Sequence, residues 1–275
     1  MKQGNRNQHS KLLVAVCVLA GLLGALVLSA VLFRAIGTPR REYGELQVQI
    51  GATTSPNDYD PEAFYTQEGF LRYSAGEHLV GIDVSAHQGL IDWQLVAESG
   101  VEFAIIRAGY RGSSKGLLYE DETFRSNIEG AKAAGIETGV YFFSQARNVQ
   151  EAQEEAEFLL SLLQGEEIEL PVFYDWEFIE GSERIGSPAE IPMTDCAVAF
   201  CKVIKSAGYE AGVYFNQTYG YYHLDLTKLQ NYTLWLAEYG ETPTFAYHFD
   251  CLQYTDSGTV AGIETAVDLD LWIEE

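Results

Sequence analysis

The feature that most constrains the fold is an alternation of short apolar runs with amphipathic stretches from residue 79 onward. The runs LVGIDVS, EFAIIRAGY, TGVYFFSQ and PVFYDWE are each followed by a segment with helical periodicity. Strands and helices in turn are typical of a parallel sheet. Later runs, at 211–216, 233–239, 249–256 and 266–272, are joined by shorter segments. The pattern predicts an α/β fold, an irregular β/α barrel of about eight strands and five helices whose last strands are antiparallel or poor in helix.

The N-terminal region contains an apolar run, residues 12–33, without a charge or a proline. About 20 apolar residues are enough to cross a bilayer core, whereas the apolar part of a cleaved secretory signal is usually about 7–15 residues. We therefore predict one transmembrane helix as an anchor at 12–36, preceded by a cytoplasmic N-terminus at 1–11. The polar residues 37–77 are predicted to form a linker, and residues 78–275 a single catalytic domain.

Charge and cysteine usage exclude several classes of protein. Residues 1–41 hold six of the 17 lysines and arginines and none of the 40 acids, so the remainder is strongly acidic and is not expected to bind nucleic acid. Cys196 and Cys201 lie five apart in a predicted helix, too far for an unstrained bridge, so we expect these thiols and that of Cys251 to be free. No histidine or cysteine cluster has zinc spacing, and the sequence predicts neither a metal site nor a cofactor.

Carboxylates recur at the predicted strand ends, where β/α barrels place their functional residues. Asp175 and Glu177 share one face of the strand in PVFYDWE, Asp83 ends the first strand, and Asp268 and Asp270 lie two apart in the last. A lone pair of such acids fits helix capping or an ion pair with arginine equally well. The presence of several carboxylates favours an active site with a general acid, because burial and like charge raise the pKa of one carboxyl.

Aromatic, amide and hydroxyl side chains accompany these acids, as suits sugar rings that are apolar on one face and polar at the edge. For any single one of them core packing is the simpler explanation, so only the set is informative. His87 has no metal-binding partner motif and is expected to form hydrogen bonds at the barrel mouth. The candidate substrate-binding residues are Tyr110, Tyr141, Tyr214, Asn216, Tyr239, Gln253, His87 and Asp270.

The motifs GIDVSAHQGLIDW, FAIIRAGY, GVYFFSQA, PVFYDWE, GVYFN, WLAEY, LQYTDSG and VDLDLW resemble, in order and spacing, those of the family 25 glycoside hydrolases, the muramidase-type lysozymes. The resemblance covers about 79–272 and implies hydrolysis of the β-1,4 bond between N-acetylmuramic acid and N-acetylglucosamine in peptidoglycan. It also implies that Glu177 is the general acid, Asp175 its partner, and Asp83 and Asp268 further catalytic carboxylates. The family commonly has Asp followed two residues later by Asn, where this chain has Asp268 and Asp270.

The resemblance leaves the route of reaction open. The second acid could act as a nucleophile, activate a water or orient the substrate's acetamido group. Peptidoglycan strands and the membrane are the expected partners, with the protein a monomer and its catalytic domain outside the cell. A non-catalytic glycan-binding or scaffold protein is the alternative. A metal-dependent deacetylase or amidase would need histidines that the sequence does not supply.

Overall fold

Eight strands close into a barrel in the computed structural model, which describes residues 54–164 and 166–274. The order around the barrel is β3, β4, β6, β7, β8, β9, β10, β11 and back to β3. Neighbouring strands are parallel except that β11 runs antiparallel to both β10 and β3. The strands are β1 (Phe64–Gln67), β2 (Phe70–Tyr73), β3 (His78–Val84), β4 (Phe103–Arg111), β5 (Leu118–Glu120), β6 (Glu137–Ser144), β7 (Val172–Trp176), β8 (Ala211–Asn216), β9 (Thr233–Ala237), β10 (Cys251–Gly258) and β11 (Val267–Ile273).

Five α-helices connect these strands within the described ranges. They are α1 (Trp93–Glu98), α2 (Phe124–Ala133), α3 (Val149–Leu162), α4 (Met193–Ser206) and α5 (Gln217–Tyr222). Asp92 caps α1 by accepting a hydrogen bond from the backbone N–H of Leu95. Asn148 caps α3 by accepting one from the backbone N–H of Glu151. The predicted eight-stranded α/β barrel with about five helices is therefore confirmed.

The antiparallel direction of β11 follows from its short connection to β10. A parallel crossover needs a dozen or more residues, usually with a helix, and only residues 259–266 lie between these two strands. The chain can therefore only return in the opposite direction. As a result the N-terminal end of β11 meets the C-terminal ends of the other barrel strands at the same mouth, and the prediction of an antiparallel end to the barrel is confirmed.

The barrel interior is filled by aromatic and aliphatic side chains, chiefly those of Phe103, Ile105, Tyr141, Phe173, Trp235 and Cys251. Two strand glycines make room for the bulky rings. A Cβ atom on Gly81 would lie 2.2 Å from the ring of Phe103, and one on Gly212 would lie 2.3 Å from the ring of Phe173. A second, larger core lies between the outer face of the sheet and the helices. These two layers hold the strand ends at the mouth in fixed positions.

The structure differs from the linker prediction in the part of residues 37–77 that it describes. β1 and β2 form a hairpin with a turn at Glu68 and Gly69, both of which have positive φ. Phe70, Leu71 and Tyr73 are buried against the barrel, and the backbone N–H of Leu71 donates to the hydroxyl of Tyr254. Because the two strands are short and the residues before them are polar, the composition of this segment did not predict that it packs on the barrel. The folded unit thus includes residues that precede His78.

No helix in the ranges 54–164 and 166–274 is long and apolar enough to span a bilayer. The predicted anchor at 12–36 and the predicted cytoplasmic residues 1–11 lie outside the described residues. Cys196, Cys201 and Cys251 are buried and unpaired, so the expectation of free thiols is confirmed for these three.

Candidate active site

A cavity of about 540 Å³ opens at the barrel mouth, where the parallel strands end. Its acidic lining consists of Asp83, Asp175, Glu177, Asp256 and Asp268. The remaining lining residues are Ser85, His87, Gln88, Arg107, Tyr141, Phe143, Ile179, Tyr214, Trp235, Tyr239 and Gln253. All four carboxylates predicted as catalytic therefore lie in one cavity, together with five of the eight predicted substrate-binding residues.

Strand register explains why these acids meet. Asp83 is the penultimate residue of β3 and lies directly opposite Asp268, the second residue of the antiparallel β11. Asp175 lies near the end of β7, and Glu177 is the first residue after Trp176, the last of that strand. Because side chains alternate along a strand, Asp175 and Glu177 both face the cavity while Trp176 is buried.

Gln253 organises one wall of the cavity. Its side-chain oxygen accepts hydrogen bonds from the hydroxyls of Tyr214, at 3.0 Å, and Tyr239, at 3.4 Å. Its amide nitrogen then donates to Asp83 at 2.7 Å. The ring of Tyr214 packs edge-on against Trp235, with 4.6 Å between ring centroids. An aromatic floor and a fixed amide therefore lie beside the acids, in an arrangement that can contact both the face and the edge of a sugar ring.

Arg107 brings a positive charge to this acidic cavity. Its Nε donates to the buried carboxylate of Asp121 at 2.7 Å. Asp121 in turn accepts hydrogen bonds from the backbone N–H groups of Ala86 and Thr123. The guanidinium also lies over the ring of Tyr110, 5.4 Å from its centroid. The arginine is thus fixed from two sides, and its charge acts on the acids of the site.

Asp175 and Glu177 have different electrostatic surroundings. Burial raises the pKa of Asp175 well above its ordinary value, the charge of Glu177 raises it further, and Arg107 acts in the opposite direction. Burial also raises the pKa of Glu177, and the charge of Asp268 adds to this effect. The cation therefore acts on Asp175, and Glu177 lacks a comparable counter-charge. Both pKa values are raised, so the pair resists losing both protons, and the charge of Arg107 favours the ionised form of Asp175.

The acids on the opposite wall also have raised pKa values. Burial, assisted by the charge of Asp256, raises the pKa of Asp268 to about 6. Burial raises the pKa of Asp83 well above its ordinary value, and the charges of Asp270 and Asp268 add to this effect. The site as a whole therefore resists full ionisation.

A buried amide holds the backbone at Glu177. Gln145, which is fully buried, donates from its side chain to the carbonyl oxygen of Glu177 at 2.6 Å. The carbonyl oxygen of Gln145 accepts a hydrogen bond from Arg184 at 2.9 Å, and Arg184 pairs with Glu151 at 2.6 Å. The residues after β7 are thereby attached to β6 and α3, which fixes the position of Glu177 relative to the barrel.

Three predicted substrate-binding residues lie outside the cavity lining. Tyr110 stacks on Tyr119 at the rim, with 5.2 Å between centroids. Asn216 caps α5 by accepting from the backbone N–H of Tyr219. Asp270 is fully buried below the cavity and accepts from the indole N–H of Trp235 at 2.8 Å.

Sequence reasoning missed Arg107 and Asp256. Arg107 had a signal, because the alternation in FAIIRAGY places it on the same inward face as Phe103 and Ile105. A charged residue in that position is unusual for a packed interior. Asp256 had no comparable signal, because irregular register between β10 and β11 interrupts the alternation after Gln253.

Comparison with known proteins agrees with this geometry. A model of glycosyl hydrolases family 25 matches residues 82–263, more than half of the chain. The chain belongs to glycosyl hydrolase family 25. The matched range includes three of the predicted catalytic carboxylates and ends before Asp268.

Relatives of this family 25 protein include the autolytic lysozyme of Clostridium acetobutylicum, which is 31% identical over 197 residues. That match covers 70% of this chain and 56% of the relative, so the chain spans little more than half of the curated protein's length. The modular autolysin LytC of Streptococcus pneumoniae, solved in complex with a synthetic peptidoglycan ligand, is similar with a TM-score of 0.60 and 27% identity. The match covers 71% of this chain and 47% of LytC.

A family 25 glycosyl hydrolase from Bacillus anthracis shares the fold, with a TM-score of 0.62 and 21% identity. The match covers 77% of this chain and 95% of that protein. The fold is therefore shared over nearly the whole of a solved family member.

Proposed function

We propose that this family 25 protein is a muramidase, which hydrolyses the β-1,4 bond between N-acetylmuramic acid and N-acetylglucosamine in peptidoglycan. The observation that carries the proposal is a pair of neighbouring carboxyls with raised pKa values in one cavity, one of them under the influence of an arginine. Burial and negative charge raise the pKa of both groups, and Arg107 favours the ionised form of Asp175, so we assign the negative charge to Asp175 and the shared proton to Glu177. One protonated and one ionised acid is the pair that glycoside hydrolysis requires.

In this mechanism Glu177 gives its proton to the glycosidic oxygen as the bond from that oxygen to the anomeric carbon breaks. The sugar that remains develops positive charge at its ring oxygen and anomeric carbon. Negative charge on Asp175 stabilises that transition state in a site partly shielded from water. Water completes the reaction by adding a hydroxyl to the anomeric carbon and returning a proton to the enzyme.

The role of Asp175 separates three routes. As a nucleophile it would bond to the anomeric carbon, as a base it would remove a proton from the attacking water, and as a partner of the acetamido group it would orient an internal nucleophile. The stereochemistry of the first-formed product distinguishes the second from the other two. Inversion at the anomeric carbon indicates direct attack by water, whereas retention indicates one of the two-step routes.

Peptidoglycan as substrate is supported by the chemistry of the cavity and by the relatives. Tyr141, Tyr214, Trp235 and Tyr239 offer aromatic surface, and Gln253 offers a fixed amide. The autolytic lysozyme and the LytC structure with a peptidoglycan ligand favour a bacterial wall glycan over other sugars. Substrate contacts for His87 and Tyr110 at the rim are part of the same proposal.

The test is to digest purified peptidoglycan with the full-length protein and identify the new reducing ends by mass spectrometry, with and without a chelator. The proposal predicts N-acetylmuramic acid at the new reducing ends and no effect of the chelator. N-acetylglucosamine at the reducing ends would contradict the bond assignment. Binding without cleavage would indicate a glycan-binding protein, and release of peptide or acetate in a chelator-sensitive manner would indicate an amidase or deacetylase.

We also propose that the protein is anchored in the cell membrane through residues 12–36, with residues 78–275 outside the cell and residues 1–11 inside. The uncharged run at 12–33 supports the anchor, and the location of peptidoglycan outside the membrane supports the orientation. Protease added to intact cells stripped of their wall should remove the barrel domain. Complete protection, with digestion only after the cells are lysed, would contradict the orientation.

A further inference from the structure

Glu177 lies just beyond the paired part of its strand. β7 ends at Trp176, which lies opposite Ser144 of β6, and its pairing with β8 already ends where Asp175 lies opposite Tyr214. Each residue of a chain has two soft dihedral angles, and strand pairing restricts them only within the sheet. The position of the Glu177 carboxyl therefore depends on groups other than the paired strand residues.

Two side chains hold the peptide unit that joins Glu177 to Phe178. Its carbonyl oxygen accepts a hydrogen bond from the buried side-chain amide of Gln145 at 2.6 Å. Its N–H, which belongs to Phe178, donates to the hydroxyl of Tyr219 at 3.0 Å. A peptide unit is planar, and the Cα atom of Glu177 lies in the same plane as these two groups. Hydrogen bonds at both groups therefore fix the plane and the point from which the Glu177 side chain extends.

These two supports come from the two strands that flank β7. Gln145 directly follows Ser144, the last residue of β6. Tyr219 lies in α5, three residues after Asn216, the last residue of β8. Because β6 and β8 are the neighbours of β7 in the sheet, the two side chains hold the backbone from both sides where strand pairing stops.

Tyr219 is itself held in place. Its backbone N–H donates to the side chain of Asn216 at 3.0 Å, which caps α5. Its ring packs edge-on against Trp176, with 5.8 Å between ring centroids, and against His223, with 5.6 Å. Trp176 is buried, and its indole N–H donates to the carbonyl oxygen of Ala146 at 2.9 Å. The hydroxyl of Tyr219 is thus presented to the backbone by a ring that is already fixed.

We propose that Tyr219 is a positioning residue for the proposed proton donor. Together with Gln145 it fixes the peptide unit between Glu177 and Phe178 and so holds the Glu177 carboxyl at the cavity. Asn216 acts through Tyr219 by capping its helix. Tyr219 lies outside the cavity lining, so it acts on the reaction only through Glu177. The effect on turnover rests on the proposed glycan hydrolysis, whereas the support of the peptide unit does not.

Two matched variants separate positioning from general stability. Tyr219→Phe removes the hydroxyl and keeps the ring. Tyr221→Phe is the control, because Tyr221 lies in the same helix and its hydroxyl also accepts from a backbone N–H, that of Ala246, at 2.8 Å. Both variants lose one hydrogen bond of the same kind, so Tm should fall by a similar small amount in both. With peptidoglycan, kcat should fall about 5–20-fold in Tyr219→Phe, with KM nearly unchanged, and stay near wild type in Tyr221→Phe.

A double-mutant cycle tests whether Tyr219 and Gln145 act on the same peptide unit. Residues in one hydrogen-bonded network have effects that are not independent. The variant that combines Tyr219→Phe with Gln145→Met should therefore lose less in kcat than the product of the two single losses. Losses that simply multiply would contradict the shared support. A wild-type kcat in Tyr219→Phe, or an equal fall in Tyr219→Phe and Tyr221→Phe, would contradict the positioning role.

Hydrogen exchange at the Phe178 amide, followed by NMR in the full-length protein, tests the support without any cleavage. This amide should exchange faster in Tyr219→Phe than in the wild type or in Tyr221→Phe. Equal exchange in all three proteins would overturn the proposal, even if the wild type cleaves peptidoglycan. Faster exchange in Tyr219→Phe, in a protein whose wild type releases no reducing ends, would confirm the support and contradict the proposed function.

Discussion

Replacing Gln145 with Met should reduce both stability and turnover, because the change removes an amide from the fully buried support of Glu177. Two hydrogen bonds are lost, one to the carbonyl oxygen of Glu177 at 2.6 Å and one to that of Ser144 at 2.9 Å. Each buried acceptor left unpaired costs about 1–3 kcal/mol. The other side-chain atom, Oε1 of Gln145, is buried without a partner, so its removal offsets part of that cost. The net effect is a loss of about 2 kcal/mol.

A loss of this size lowers Tm by about 4–8 °C in a domain of this length. Turnover should fall by about 10-fold or more with a smaller change in KM, because Glu177 is misplaced while the sugar-binding wall stays intact. Differential scanning calorimetry and digestion of purified peptidoglycan measure the two effects. Gln94→Met, the same change at an exposed residue of α1, is the control and should alter neither. Lower stability with wild-type kcat in Gln145→Met would show that this amide does not position Glu177.

Two further predictions concern buried groups outside the cavity. Burial raises the pKa of Glu155 to about 7 despite its pairing with Arg111, so the folded protein binds a proton that the unfolded chain releases at lower pH. The free energy of unfolding should therefore fall as pH rises toward about 7. Glu155→Gln should weaken this dependence on pH, as measured from denaturation curves at different pH values. An equal pH dependence in the variant and the wild type would contradict the raised pKa. Reducing agent should leave Tm and activity unchanged, and thiol titration should detect Cys196, Cys201 and Cys251 only after unfolding; reaction of these thiols in the native state would contradict their burial.

The fold could be predicted from sequence where one physical rule dominates. The alternation of apolar runs with helical segments located all eight barrel strands, because parallel strands buried on both faces need continuous apolar residues. The cap at Asp92 was predictable because it depends only on neighbouring residues. The hairpin at 64–73 was missed, because its stability comes from packing on distant residues such as Tyr254 and not from its own pattern.

The site was predictable to a similar extent. Strand-end position and alternation determine which way a side chain faces. These two rules correctly predicted that four carboxylates lie in one cavity, namely Asp83, Asp175, Glu177 and Asp268. These rules do not determine which group a side chain forms a hydrogen bond with. Asn216 stands at a strand end like the others, yet its side chain caps α5, because the chain turns into a helix at that residue.

The assignment of Glu177 as the proton donor is tested most directly by Glu177→Gln, which keeps shape and hydrogen bonding but removes the transferable proton. Glu102→Gln is the control, since Glu102 lies just before β4 at the opposite end of the barrel and accepts from the backbone N–H of Val80. Release of reducing ends from peptidoglycan should fall by about 10²–10⁴ in kcat for Glu177→Gln, with little change in substrate binding, and stay near wild type for Glu102→Gln. Near-normal turnover in Glu177→Gln would contradict the mechanism.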